Sequence, residues 1–182
     1  MAWTIAPGAA GSSPSGLVAS GTLLLFQAND GVHGSELWEY NSAANVASLV
    51  KDVEPGLGSS WPTDLTVLGG IVYFSAWDSS GGEEVWRSDG TAAGTFRVRD
   101  ILPGAAGSYP DDLTVSGGAL YFSARDGVNG FQLWRSDGTP AGTTLVRVIG
   151  PPSTFARPEF LTDHGGVLFF SANDGIHGPE LW

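Results

Sequence analysis

Hydrophobic and polar residues alternate over short stretches of this chain, and turns rich in Gly, Asp and Pro separate the stretches. In residues 97–144, the alternating stretch Asp112–Ser116 is followed by Gly117-Gly118 and then by the mainly apolar stretch Ala119–Ala124. Two such stretches joined by a two-residue glycine turn predict a β-hairpin. Two further strands are predicted after the next two turns, at Phe131–Arg135 and Thr143–Ile149. The pattern therefore predicts a unit of four antiparallel strands, labelled A to D.

This unit recurs every 48 residues without insertion or deletion, which divides the chain into units 1–48, 49–96, 97–144 and 145–182. The clearest markers are one tryptophan and one aspartate per unit: Trp38, Trp86, Trp134 and Trp182, and Asp30, Asp78, Asp126 and Asp174. Four short strands in a period of about 40–50 residues, with an aromatic residue at a fixed position, are typical of a β-propeller blade. The sequence predicts an all-β propeller with four blades per chain. A parallel solenoid is the main alternative, but Gly-Gly and Asp-Gly turns favour antiparallel hairpins.

The fourth unit stops before its C–D turn, since four units of 48 residues would need 192 residues and the chain has 182. Residues 1–5 align with the strand D positions 49–53, so we expect the N-terminal strand to complete the sheet that lacks strand D. An unpaired sheet edge favours such an exchange. The exchange predicts either a four-bladed monomer or an eight-bladed homodimer, of which we favour the dimer. An open filament is the third possibility.

The composition of the chain argues against some classes of binding partner. The chain has 19 acidic and eight basic residues, a formal net charge of −11, which argues against nucleic acid or anionic membranes as partners. It contains no cysteine and no apolar run long enough for membrane insertion, and its N-terminal residues lack the pattern of a signal peptide.

A motif in strand C and the turn after it resembles a known repeat. The motif reads Glu36-Leu-Trp38 in the first unit, Glu84-Val-Trp-Arg-Ser-Asp-Gly-Thr91 in the second and Gln132-Leu-Trp-Arg-Ser-Asp-Gly-Thr139 in the third. The chain is similar in all four units to the bacterial repeat proteins named for Glu-Leu-Trp-x-x-Asp-Gly-Thr. The first unit departs from the motif after its tryptophan, and the fourth ends there. The resemblance implies a secreted or cell-surface protein with propeller-like repeats.

The repeated tryptophans and aspartates are interpreted as structural. A recurrent aromatic residue inside a strand is typical of packing between blades, and Asp-Gly turns are stabilised by the aspartate itself while glycine adopts positive φ. Calcium in these turns is the alternative, because carboxylates suit that cation, but each turn offers too few of them. The sequence therefore predicts no cofactor.

Candidate binding residues lie where the repeat varies within a constant framework. The residue before a repeated proline in the D–A loop is Ser13, Trp61, Tyr109 or Arg157, and the residue before the repeated aspartate is Asn29, Trp77, Arg125 or Asn173. His33 and His177 follow that aspartate by three positions in two units. The D–A and B–C loops of a propeller share one rim, so we expect these side chains to form a polar and aromatic surface. Such a surface suits sugar rings or acidic groups.

Catalytic motifs are lacking in the sequence: it has no Gly-x-Ser-x-Gly, no Walker loop and no His-Glu-x-x-His. Its arginines fall mainly in predicted strands C and D, away from an axial site. The sequence therefore predicts no enzyme but an extracellular binding or adhesion module, lectin-like, with glycan as the expected partner. The alternative is a structural spacer that binds only other copies of itself.

Overall fold

The structure, a computed structural model, describes residues 4–6, 11–152 and 156–182. It is all-β, and no helix occurs in these three ranges. The first two sheets consist of β1 (Ser15–Ser20), β2 (Leu23–Asn29), β3 (Ser35–Asn41) and β4 (Val46–Lys51), then β5 (Thr63–Leu68), β6 (Ile71–Asp78), β7 (Gly82–Ser88) and β8 (Phe96–Arg97). The all-β prediction is confirmed.

Among the described residues, the third sheet has four strands and the fourth sheet has three. They consist of β9 (Asp111–Ser116), β10 (Ala119–Arg125), β11 (Phe131–Ser136) and β12 (Thr144–Arg147), then β13 (Glu159–His164), β14 (Val167–Asn173) and β15 (Pro179–Leu181). Every neighbouring pair is antiparallel and consecutive in sequence. Each sheet is therefore a meander with its strands in the spatial order A to D, and strand D, where it is present, crosses the boundary into the next 48-residue unit.

Strand D is shorter than the sequence predicts. The stretch Thr143–Ile149 yields only β12, and the equivalent stretch of the second unit yields only the two residues of β8. Val98 and Ile101, which follow β8, are buried in the core between the second and third sheets. Burying these two side chains offsets the lost strand pairing.

The first strands of the sheets lie side by side and form an inner row. β5 lies beside β1 and β9, and β13 lies beside β9. Each of these inner strands begins with a register irregularity, and the residue there has positive φ: Gly16, Asp64, Asp112 and Phe160. A β-bulge of this kind bends the strand and redirects its side chains. The four bulges thus turn the same end of every inner strand.

The apolar core lies between successive sheets. Leu25, Leu37 and Val50 of the first sheet cluster with Phe74 and Trp86 of the second. Tyr73 and Val85 from the opposite face of the second sheet cluster with Phe122 and Trp134 of the third. Phe74 pairs with Trp86, and Phe122 with Trp134, directly across neighbouring strands. The repeated aromatic residues therefore fill the space between sheets.

The N-terminal prediction falls partly outside the described residues. Met1–Trp3, which the repeat aligns with strand D, belong to that part. Thr4 to Ala6 are not in a strand, and Ile5 packs against the cluster of Phe26 and Trp38 on the first sheet. Val53, the repeat equivalent of Ile5, packs in the same way toward the second sheet. The strand exchange itself stays a prediction.

Candidate functional site

The two variable rim positions of the second unit meet in the structure. Trp61 precedes β5, and its backbone N–H donates to the carbonyl oxygen of Ser35 at 3.1 Å. Trp77 is the last residue but one of β6, and its N–H donates to the carbonyl oxygen of Ser60 at 2.8 Å. These bonds hold the two indoles with ring centroids 6.5 Å apart and planes inclined by 54°. Trp61 is 57% exposed, so the pair presents an aromatic surface to solvent on a fixed backbone.

The same two positions of the third unit form a second pair. The backbone N–H of Tyr109 donates to the carbonyl oxygen of Glu83 at 3.2 Å. The Arg125 guanidinium lies 4.5 Å from the Tyr109 ring centroid and donates to the carbonyl oxygen of Ala106 at 3.1 Å. A cation held over an aromatic face at this distance is a stabilising contact. We call Trp61, Trp77, Tyr109 and Arg125 the aromatic rim.

The backbone of the aromatic rim is constrained at its two exposed aromatics. Trp61 has φ of 44° and Tyr109 has φ of 51°, and the smaller Ser13 shares this conformation in the first unit. A bulky residue in the left-handed region costs roughly 1–3 kcal/mol and persists only where its surroundings fix it. The hydrogen bonds to Ser35 and Glu83 supply that fixation. The backbone that carries the two aromatic rings is thus held in one conformation.

Arg157 departs from the pattern. It occupies the repeat position of Trp61 and Tyr109, but its guanidinium forms an ion pair with Asp111 and lies 4.9 Å from the Phe131 ring centroid. The structure therefore does not bring it into the aromatic rim. The first unit, with Ser13 and Asn29, has no aromatic residue at either position.

The two rim histidines bind the aspartates of their own turns. His33 Nδ1 lies 2.7 Å from Asp30 Oδ2, and His177 Nδ1 lies 2.9 Å from Asp174 Oδ2. The hydrogen bond to Asp30 raises the pKa of His33, and the bonds from the backbone N–H and side chain of His177 lower the pKa of Asp174 to about 2. The structure thus places both imidazoles within Asp-Gly turns, where each contacts the aspartate of its own turn.

The four repeated aspartates accept hydrogen bonds from the backbone of their own turns. Asp126 Oδ1 accepts from the N–H groups of Val128 and Asn129 at 2.9 and 2.7 Å. Asp30, Asp78 and Asp174 make equivalent bonds. Among the residues that the structure describes, no three His, Asp or Glu side chains lie so that they could hold a metal ion.

A cationic side chain lies over the ring of three of the repeated tryptophans, and sequence reasoning did not predict this repeated contact. Lys51 Nζ lies 5.9 Å from the Trp86 ring centroid, and the guanidinium of Arg99 lies 6.0 Å from that of Trp134. Arg147 lies 5.5 Å from Trp182 in the same way. Each cation lies at the strand D end of one sheet and each indole in or beside the third strand of the next sheet, so these contacts link successive sheets. The 48-residue spacing of Lys51, Arg99 and Arg147 was the available signal.

A buried polar side chain in strand C forms hydrogen bonds with each connection between successive sheets. Glu84 Oε2 accepts from the Ser108 hydroxyl at 2.6 Å, while Oε1 accepts from the N–H groups of Leu102 and Ser108 at 3.0 and 3.1 Å. Glu36 binds Ser60 and Val53 in the same manner. The third unit uses Gln132, whose partner position is Ala156 instead of serine, and its amide donates to the Gly150 carbonyl oxygen at 3.0 Å. The Glu and Ser pair of the first two units is thus replaced in the third unit by a Gln and Ala pair, so both partners change together.

The Glu84 carboxylate makes stability depend on pH. Burial raises the pKa of Glu84 to about 7, although the hydrogen bond from Ser108 opposes this rise. A pKa above its value in the unfolded chain means that the contribution to stability is complete below pH ~4.5 and is lost as pH rises toward 7. We expect the free energy of unfolding to fall by about 2–3 kcal/mol over this range because of Glu84. The double variant Glu84→Gln with Ser108→Ala, which copies the third unit, should lack this decrease.

Urea unfolding at pH 4.5, 5.5, 6.5 and 7.5 measures the effect, with the difference between the two proteins isolating Glu84 from the other titrating groups. Parallel pH curves for the two proteins would contradict the assignment.

An ionisable pocket lies at the bulged ends of the inner strands, which the sequence did not predict. It has a volume of 470 Å³, and its lining side chains are Asp64, Asp111, Asp112, Arg157, Glu159 and Phe160. Removal of water from around the carboxyl group raises the pKa of Asp64, and the neighbouring Asp111 and Asp112 raise it further. Asp64 Oδ2 and Asp112 Oδ2 accept from the N–H groups of Asp112 and Leu161 at 2.8 and 2.7 Å. These carboxylates thus join successive inner strands.

Comparison with known proteins bears on the fold alone. The chain matches no family model, and no curated protein is significantly similar to it in sequence. Its structure is similar to the crystal structure of TolB from Acinetobacter baumannii, with a TM-score of 0.53, 15% sequence identity and 94% of this chain covered. The likeness supports a β-propeller fold. The chain spans 45% of the length of that TolB chain.

None of the described segments forms a helix that is long and apolar enough to cross a membrane.

Proposed function

We propose that this chain is a non-enzymatic binding module that recognises neutral carbohydrate through the aromatic rim on a β-propeller scaffold with four blades per chain. The observation that carries the proposal is the Trp61–Trp77 pair, two inclined indoles on a backbone held by hydrogen bonds. Aromatic side chains present large contact areas at low cost in conformational entropy, because they have only two rotatable side-chain bonds.

The surroundings of the rim favour a neutral ligand that combines apolar faces with hydroxyl groups. The apolar face of a sugar ring can stack on an indole, while its hydroxyl groups can reach polar groups beside the ring. Arg125 lies beside such a surface, over Tyr109. The net charge of −11 disfavours an anionic polymer. Repetition of the rim in neighbouring units would let weak sites act together by avidity.

Two sequence features support an extracellular or cell-surface location. The Glu-Leu-Trp-x-x-Asp-Gly-Thr motif at 84–91 and 132–139 resembles that of secreted bacterial repeat proteins, and we propose that this chain belongs with them. The lack of cysteine is compatible with this location.

Binding to a glycan array tests the proposal, followed by calorimetry on the best ligand. Trp61→Ala is expected to weaken binding about tenfold or more, because a tryptophan at the centre of a binding surface commonly contributes ~2 kcal/mol. Trp77→Ala should weaken it similarly. Circular dichroism of both variants should match that of the unmodified protein, since Trp61 is exposed and its backbone bonds need no side chain.

Phe96→Ala is the matched control. Phe96 is an exposed aromatic residue in β8, at the outer edge of the same sheet, where it contacts Arg87 and not the aromatic rim. Its removal should leave glycan affinity unchanged. If the folded protein binds no glycan on the array, the carbohydrate proposal is refuted and the structural spacer is favoured.

A further inference from the structure

Each sheet has two different faces, which the apolar clusters define. The trailing face of a sheet, for example Leu25 and Leu37 of the first, points toward the next sheet along the chain. The leading face, for example Phe74 and Trp86 of the second sheet, points toward the preceding one. Tyr73 and Val85 on the trailing face of the second sheet meet Phe122 on the leading face of the third in the same way. One kind of interface is thus used repeatedly.

The trailing face of the fourth sheet is exposed. Leu181 is 76% exposed, whereas its repeat equivalents Leu37 and Val85 are fully buried at 0%. Phe169 and Val167 on the same face are also exposed. Phe160 extends this surface: it stands where Asp64 and Asp112 reach the next inner strand in the other units. An apolar residue has therefore replaced a carboxylate at the edge of the exposed face.

The leading face of the first sheet is exposed at its inner strand, while Phe26 and Trp38 on the same face are buried beside Ile5. Leu17 is 59% exposed, whereas its equivalents Leu113 and Leu161 are each 6% exposed. Beside Leu17 an apolar cavity of 320 Å³ is lined by Ile5, Leu24 and Phe26. At the interfaces within the chain, the trailing face of the preceding sheet fills the equivalent space.

We propose that the leading face of the first sheet binds the trailing face of the fourth sheet of a second copy of this chain. The exposed trailing face and the partly covered leading face are the complementary halves of the interface that already occurs inside the molecule. A second copy supplies apolar residues at the matching repeat positions, Leu181 for Leu37 and Phe169 for Leu25. Large exposed apolar faces of this kind are typical of interaction sites.

A repeated hydrogen bond strengthens the match. The Thr66 hydroxyl donates to the Leu113 carbonyl oxygen at 2.9 Å, and the Thr114 hydroxyl donates to that of Leu161 at 3.0 Å. Thr162 holds the same repeat position on the exposed trailing face. In the proposed contact it would donate to the Leu17 carbonyl oxygen of the second copy. Two copies joined by both pairs of faces would form eight blades in a closed, head-to-tail arrangement.

Size-exclusion chromatography with light scattering on the full chain tests this proposal. We expect the mass of two chains for the unmodified protein and the mass of one chain for Leu17→Lys and for Leu181→Lys. Each substitution places a charge in the centre of the contact and should weaken association at least about 30-fold. Val128→Lys is the control, because Val128 is exposed in the turn before β11 and lies on neither face. Its mass should be that of the unmodified protein.

Mixing the two variants separates this arrangement from one in which two like faces bind each other. The Leu17 variant keeps an intact fourth sheet and the Leu181 variant keeps an intact first sheet, so the mixture should regain a two-chain species that neither variant forms alone. Circular dichroism should show both variants folded. A single-chain mass for the unmodified protein would overturn the proposal, as would a Leu181→Lys variant that still associates. Glycan binding by the single-chain variants tests the aromatic rim independently.

Discussion

Replacing Phe122 by alanine is expected to lower the free energy of unfolding by about 3–5 kcal/mol, the usual range for a buried phenylalanine. Phe122 is fully buried on the leading face of the third sheet, in one cluster with Tyr73 and Val85 of the second sheet and with Trp134 across its own hairpin. The substitution removes apolar contacts from both sheets at once and leaves a cavity that the strands cannot easily close. Denaturant unfolding followed by far-ultraviolet circular dichroism measures the loss.

Phe170→Ala provides the comparison at the same repeat position. Phe170 is only partly buried and belongs to the fourth sheet, which has three strands among the described residues. We expect a loss of less than about 2 kcal/mol there, because part of the ring surface is already in water. Equal losses at Phe122 and Phe170 would contradict the burial difference. A second transition in the Phe122→Ala curve would show that the sheets unfold separately, as in repeat proteins with weak contacts between units.

The sequence was sufficient to predict the repeating unit, for a definite physical reason. The Gly117-Gly118 turn requires positive φ at both residues, and both have it, at 54° and 78°. The alternating residues on either side then pair as β9 and β10. The spacing of Trp134 from Phe122 also fixed their cross-strand pairing, because hairpin length determines register. Turn preferences and residue alternation were sufficient here because the paired strands are close in sequence.

The sequence was less informative about side chains whose contacts are with residues far away in the sequence. Arg157 shares a repeat position with Trp61, yet it turns to Asp111, which lies 46 residues earlier in the sequence. No pattern of turns or alternation encodes that choice. The ionisable pocket was missed for the same reason: Asp64, Asp112 and Glu159 come together only because the inner strands lie side by side. The exposed trailing face of the fourth sheet likewise requires knowledge of which sheet faces are covered.

Replacing Gly82 by alanine is expected to cost roughly 2–5 kcal/mol of stability, from two separate sources. Gly82 has φ of 71°, a left-handed conformation that costs an L-amino acid roughly 1–2 kcal/mol. A Cβ atom at this residue would also lie 2.4 Å from the backbone nitrogen of Gly107 and 2.8 Å from the carbonyl oxygen of Ala105. Because these are backbone atoms, the connection to the third sheet must move, adding about 1–3 kcal/mol.

Gly130→Ala separates the two sources, because Gly130 holds the same repeat position with φ of 70° but its nearest Cβ neighbour, the Pro152 carbonyl oxygen, would be 3.5 Å away. Only the conformational cost of about 1–2 kcal/mol should remain there. The connection displaced by Gly82→Ala also carries Tyr109, whose N–H donates to the Glu83 carbonyl oxygen. Gly82→Ala should therefore disturb the Tyr109–Arg125 half of the aromatic rim, while Gly130→Ala leaves it intact. Urea unfolding of both variants measures the stability difference, and equal losses would show that the close approach of Gly82 to Gly107 contributes nothing.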